Sequence, residues 1–218
     1  KFGVVMSSDG TFQSGSGFDS GVAVSNYLNQ WVHLALTKSG TNATLYLNGN
    51  SIGTTSSAPS TLHASTAAFV VGKFDGGTVH TTGYISDVRL VNGSVVYSSN
   101  FTPPTAPLTA ITNTAFLSNM SNGQIVDGTK NAHISLEGNT KVTHSEKKFG
   151  TGSLLIEGNG DGALVQFDQP EHIKFGESDF TMELHVRFIT VGPTRLLSNW
   201  STSSSGQTDE WSLRMLNS

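Results

Sequence analysis

The sequence predicts an all-β chain folded as an antiparallel β-sandwich, on three observations. First, apolar residues alternate with period two. Val32, Leu34 and Leu36 alternate with Trp31, His33 and Ala35, and Phe180, Met182, Leu184, Val186 and Phe188 with Thr181, Glu183, His185 and Arg187. That period marks strands with one buried face, whereas a helix repeats its apolar positions every three or four residues. Second, turn formers such as Ser8-Asp9-Gly10, Asn48-Gly49 and Asn92-Gly93 separate many short apolar runs. Third, no helical stripe is found apart from a short turn near Glu171 to Lys174.

The elements follow in chain order. Phe2, Val4 and Met6 alternate, and glycines at 15, 17 and 21 punctuate the loop that follows. Gln30 to Gly49 is a meander. Its first run is apolar on both sides, which predicts a central strand, and Leu45 and Leu47 form the return. Residues 50 to 66 read as a Ser/Thr-rich loop around Ile52 and Leu62, and Ala68 to Gly72 as a short strand. In Gly83 to Val91, strict alternation puts Tyr84, Val88 and Leu90 on one face and Ile85, Asp87 and Arg89 on the other. Val95-Val96-Tyr97 closes this half as a strand. Pro103, Pro104 and Pro107 cannot sit in a ladder and stiffen the backbone, so they are expected to form a linker and the main boundary. Beyond it come strand-like runs at Ala115 to Leu117, His133 to Glu137, Phe149 to Ile156, Ala163 to Phe167, Phe180 to Phe188, Arg195 to Trp200 and Glu210 to Met215.

Composition narrows the function. Charged residues are 13% of the 218, about half the usual share, so the surface is built from Ser, Thr, Asn and Gly. That composition suits secreted sandwiches, fibres and virion proteins, and predicts an extracellular or virion-surface location. Cysteine is absent, which excludes disulfides and thiolate metal sites. A charge of −4 with 12 dispersed basic residues argues against nucleic acid as a partner. No run has the apolar length for membrane insertion as a helix.

Several stretches resemble the laminin G-like branch of the concanavalin A-like jelly rolls. Trp31-x-His33-x-Ala35 with Leu45-Tyr46-Leu47-Asn48-Gly49 is similar to its central meander, and Gly83 to Leu90 to its closing strand. Val96 to Pro104 resembles the tail that follows such modules in phage structural proteins and bacterial surface repeats. Lys148-Phe149-Gly150, Gly160-Asp161-Gly162 and Asp179 to Glu183 resemble the opening half. Residues 1–108 thus resemble a closing half and residues 109–218 an opening half. Two arrangements are compatible with this order: a window on a tandem array, or one circularly permuted sandwich.

The resemblance implies a non-enzymatic repeat module for display, spacing or adhesion, with copies of itself or neighbouring repeats as partners. The alternatives are a glycan-binding adhesin recognising cell-surface glycans and a glycosidase. Glycoside hydrolysis needs two carboxylates about 5 to 9.5 Å apart. The nearest stretch, Glu183-x-His185-x-Arg187, carries one, and Glu183 is expected on a solvated outer face. No His pair has metal spacing and no nucleophile elbow occurs. His33 is expected to be a buried hydrogen-bonding residue. Sugar binding, the family's common use, needs an aromatic plate beside amides or hydroxyls. The candidates are Trp200, Asn199 and Tyr84, with Trp31 and Trp211 assigned to the core. Family members place a structural calcium on an Asp of the closing strand, a position that Asp87 matches. The glycine turn around Asp161 is a second calcium candidate.

Overall fold

A computed structural model describes residues 1–10, 17–64, 68–73, 80–120, 126–158, 160–203 and 206–216; of residues 170, 200–203 and 206–210 only the backbone course is described. Its strands in chain order are β1 (Phe2–Met6), β2 (Gly17–Asp19), β3 (Trp31–Ser39), β4 (Asn42–Leu47) and β5 (Asn50–Thr55). Then come β6 (Phe69–Val71), β7 (Gly83–Asn92), β8 (Thr114–Ser118), β9 (Ala132–Glu137) and β10 (Lys141–Thr143). The last are β11 (Ser153–Ile156), β12 (Gly162–Phe167), β13 (Phe180–Phe188), β14 (Thr194–Ser203) and β15 (Gly206–Met215). Two single 3-10 turns, at Val24–Tyr27 and Pro170–Ile173, are the helical elements among the described residues.

The strands form two antiparallel sheets. One runs β2-β1-β15-β14-β6-β12-β9; the other runs β10-β11-β7-β13-β3-β4-β5, with β8 also paired to β7. Each sheet turns one face inward, because period-two alternation places every second side chain on the same side. Phe2, Val4, Phe69, Val71, Trp211 and Leu213 come from the first sheet. Val32, Leu34, Leu36, Leu90, Met182, Leu184 and Val186 come from the second, and all are buried in one continuous core. Phe69 packs on Trp211 (ring centroids 5.7 Å) and Phe116 (5.4 Å), and Phe175 stacks on Phe180 at 4.4 Å.

The two stretches on either side of the prolines interleave. β13, from the second, lies between β7 and β3, from the first, and β6 lies between β14 and β12. β1 pairs with β15 from Phe2 opposite Met215 to Met6 opposite Trp211. Beyond that ladder, the Lys1 ammonium donates to the Leu216 carbonyl at 2.9 Å and the Leu216 N–H donates to the Lys1 carbonyl at 2.8 Å.

The local chemistry explains where strict alternation fails. β7 shifts register against β13 between Glu183 and His185, and Asp87 takes a left-handed φ of 53° there. This is a bulge, with an extra residue in one strand that turns the rest over. Ile85, Val88 and Leu90 therefore all face the core. The sequence expectation that Val88 and Leu90 share a face with Tyr84 is corrected accordingly. Aspartate tolerates this conformation better than most residues because its carboxylate answers nearby donors.

Three further corrections concern elements. Asn50–Thr55 is not a loop but strand β5, completing the meander through the Asn48-Gly49 turn. Val95 to Tyr97 forms no strand. The proline stretch is not a free linker: residues 93–109 run as a strap over the outer face of β7, β13, β3 and β4. The Val96 N–H donates to Thr181 Oγ1 at 2.9 Å, and the Phe101 N–H donates to the Gly49 carbonyl at 2.9 Å. At Gly49, φ is +78° and a Cβ would stand 1.9 Å from the Phe101 carbonyl oxygen, so glycine is required both for the turn and for the strap's approach.

Candidate functional site: the covered face of the second sheet

Side chains that point away from the core on β7, β13, β3 and β4 line up in cross-strand rows. Val91, Thr181, Thr37 and Thr44 form one row; Arg89, Glu183, Ala35 and Tyr46 form the next. Ser86, His185 and His33 follow, and Tyr84, Arg187 and Trp31 come last. In a solvated sheet this face would carry exposed polar groups. Here the strap covers the first two rows, and Phe149, from the segment between β10 and β11, meets His185 with ring centroids 5.1 Å apart.

Glu183 is the centre of the covered part, and it is fully buried rather than solvated (0% exposed). Arg89 Nε donates to Glu183 Oε1 at 2.7 Å, and its Nη2 pairs with the same oxygen. Oε2 accepts the Tyr97 hydroxyl at 2.7 Å and lies 3.0 Å from His33 Nε2. Arg89 Nη1 donates to the Thr109 carbonyl at 2.8 Å, which ties the far end of the strap to the same pair. Burial alone would raise the Glu183 carboxyl, but the His33 hydrogen bond and the Arg89 charge outweigh it and hold it below the usual carboxylate range. Burial, followed by the Glu183 charge, raises the Tyr97 phenol, so it stays protonated and donating. Tyr97 stacks on Phe101 at 3.6 Å, and both rings meet His33 edge-on. His33 is thus the buried hydrogen-bonding residue anticipated from sequence.

His185 lies beside His33 (centroids 4.8 Å), and neither of its ring nitrogens has a hydrogen-bond partner among the described residues. Burial, then the charges of His33 and Lys148, push it down to about 3, so it is a neutral ring packed as an apolar one.

The proposed ligand residues are dispersed. Asn199 on β14 pairs across to Trp211 and Phe69 and is fully buried in the first sheet. The Trp200 side chain lies outside the described residues. Tyr84 is half-buried at the end of β7, on the opposite sheet from both. Trp31 is not core: it is half-buried on the outer face, 6.5 Å from Tyr84, whereas Trp211 is fully buried as expected.

The calcium candidates are both buried and surrounded by donors. Asp87 Oδ1 accepts the Leu108 N–H at 3.1 Å and Asn119 Nδ2 at 2.6 Å, and Oδ2 accepts the Ser86 hydroxyl at 2.9 Å. Burial raises its carboxyl despite these bonds. Asp161 accepts the N–H groups of Asn139 (2.7 Å), Glu157 (3.1 Å) and Gly158 (2.9 Å). Burial acts upward there too, but these donors prevail and hold its carboxyl low. Calcium wants a cage of several oxygens. These carboxylates are spent on N–H and O–H groups instead, and no three His, Asp or Glu side chains converge among the described residues. Neither set fits the cation.

Two antiparallel sheets around one core, with a Trp-x-His strand leading into a tight meander, define a concanavalin A-like sandwich. Residues 2–96 match the family model of the concanavalin A-like lectin/glucanases superfamily in its laminin G-like branch, which supports a laminin G-like jelly-roll module over that stretch. No curated protein and no solved structure matches the chain. The matched class is one of carbohydrate-binding or structural modules; laminin G-like domains are generally non-enzymatic, while some members of the wider superfamily are glycosidases.

Sequence reasoning missed the Arg89–Glu183–Tyr97 network and the Trp31–Arg187–Tyr84 row. Glu183, His185 and Arg187 alternate visibly on β13, and Trp31 and His33 on β3. What sequence lacks is the register that places them opposite one another.

Proposed function

We propose that this module is non-enzymatic and serves as a structural and adhesive unit of an extracellular or virion-surface assembly, with copies of itself or neighbouring repeats as its partners. The observation that carries this reading is the Tyr97 hydrogen bond to a fully buried Glu183 beneath the strap. A glycosidase of this architecture would need that face open to a polymer and two carboxylates spaced for acid and base. Here the prominent carboxylate is consumed by Arg89, His33 and Tyr97. Incubation with laminarin-like polymers tests the reading: no sugar should be released, and release that disappears in Glu183→Gln would overturn it.

A second reading is glycan binding, favoured by the half-exposed rings of Trp31 and Tyr84. Aromatic faces of this kind stack on the C–H faces of sugars. Binding across a panel of immobilised glycans, reduced in Trp31→Ala, would support it; silence across the panel would leave the structural role alone.

A further inference from the structure

Where the covered face ends, Trp31, Arg187 and Tyr84 lie abreast on β3, β13 and β7 as register partners. All three are half-buried. The rings lean together to 6.5 Å, and the Arg187 guanidinium lies 5.9 Å from the centre of the Tyr84 ring. We infer that this row is a binding platform for a carboxylated sugar, such as a uronic acid unit of an acidic polysaccharide; the inference rests on the glycan-binding reading above.

Three features of the row point to that ligand. The rings offer apolar plates for a pyranose, and a guanidinium between them offers paired donors for a carboxylate. Arg187 already holds one: its ion-pair partner is Glu146, from the segment between β10 and β11. The two side chains are 22% and 38% exposed, and an ion pair so placed contributes about 0 to 1 kcal/mol, so a ligand carboxylate can take over from Glu146 at little cost. The local charge also runs against that of the chain. Lys147 and Lys148 directly follow Glu146, with the Lys148 ammonium 5.2 Å from the Phe149 ring, in a protein whose net charge is −4. A basic cluster on an acidic protein attracts anions at this end in particular. Because Phe149 and the strap fill the rows beyond, the platform takes one or two sugar units rather than a chain laid along the sheet.

Calorimetric titration at neutral pH with trigalacturonate, with neutral laminaritriose and with polyglutamate tests the inference. Trigalacturonate should bind, with affinity lowered about tenfold or more in Arg187→Gln and in Trp31→Ala and raised several-fold in Glu146→Gln. Glu146 is at the surface, so its variant remains informative if the Trp31 variant misfolds; circular dichroism monitors both. Equal binding of the neutral sugar, with no effect of Arg187→Gln, would overturn the acidic-sugar inference and leave the glycan reading standing. Polyglutamate binding as tightly as trigalacturonate would reduce the site to charge alone and overturn it. No binding of either sugar would overturn the acidic-sugar inference, and the glycan reading would then fall only with silence across the panel above.

Discussion

The Tyr97 hydroxyl donates to Glu183 Oε2 at 2.7 Å, joining the strap to the middle of β13 across 86 residues of chain. It places a buried carboxylate under a segment that belongs to no strand, and it makes the strap part of the folded body.

Tyr97→Phe should therefore destabilise the protein by about 1.5 to 3 kcal/mol, the usual worth of a hydrogen bond to a charged group. The Phe101 stack survives in this variant, so the hydroxyl alone is tested. Urea unfolding at neutral pH measures the change, with faster hydrogen exchange expected in the amides of residues 94–109.

Glu183→Gln should cost more, about 3 to 5 kcal/mol, because it leaves the buried Arg89 without its counter-charge. A double substitution to Glu183→Gln with Arg89→Met should recover part of the loss. Urea midpoints of the single and double variants measure this; a double variant no more stable than the single would show that the ion pair is not the source.

Acid should weaken the fold through His185. His185 titrates at about 3 when folded and near 6.5 when unfolded. Between those values the unfolded chain binds the extra proton, so stability falls as pH drops, by about 1.4 kcal/mol per pH unit. Above pH 6.5 the effect is absent. Glu183 acts with the same sign but only lower, because its folded carboxyl titrates below the ordinary carboxylate range. Stability measured at pH 7 and at pH 5 should differ in the wild type, and the difference should shrink in His185→Phe.

Gly49→Ala should lower stability by more than about 1 kcal/mol, since alanine is strained at φ +78° and its Cβ meets the Phe101 carbonyl. Thermal unfolding measures this. Gly40→Ala, also at positive φ but with nothing within 4 Å of a Cβ, should cost less, and the difference isolates the contact with the strap.

The fold was legible where patterns are local. Phe180 to Phe188 alternates without interruption, and every inner member is buried in the core. The meander through Asn48-Gly49 was equally plain, although Asn50–Thr55 was hidden because Ser, Thr and Gly carry no alternation. The bulge was not legible, since a single Asp87 in left-handed conformation leaves no trace in hydropathy. Nor was the burial of Glu183, because an outer-face position reads as solvated until something is known to cover it. The sequence reading puts Trp31 in the core, whereas its position in the alternation of β3 puts it on the outer face.

By itself, the sequence determined the class of body: two stacked antiparallel sheets, with Val32, Leu34, Met182 and Leu184 inside. Side-chain direction in a strand is a property of neighbouring residues, and turn formers act within four. Only the tertiary structure decided that Glu183 meets Arg89 and Tyr97, that His185 is sealed without a hydrogen-bond partner among the described residues, and that Trp31, Arg187 and Tyr84 stand in one row. Such contacts join residues distant in the chain, 150 positions apart for His33 and Glu183, and they depend on register, which no local preference fixes.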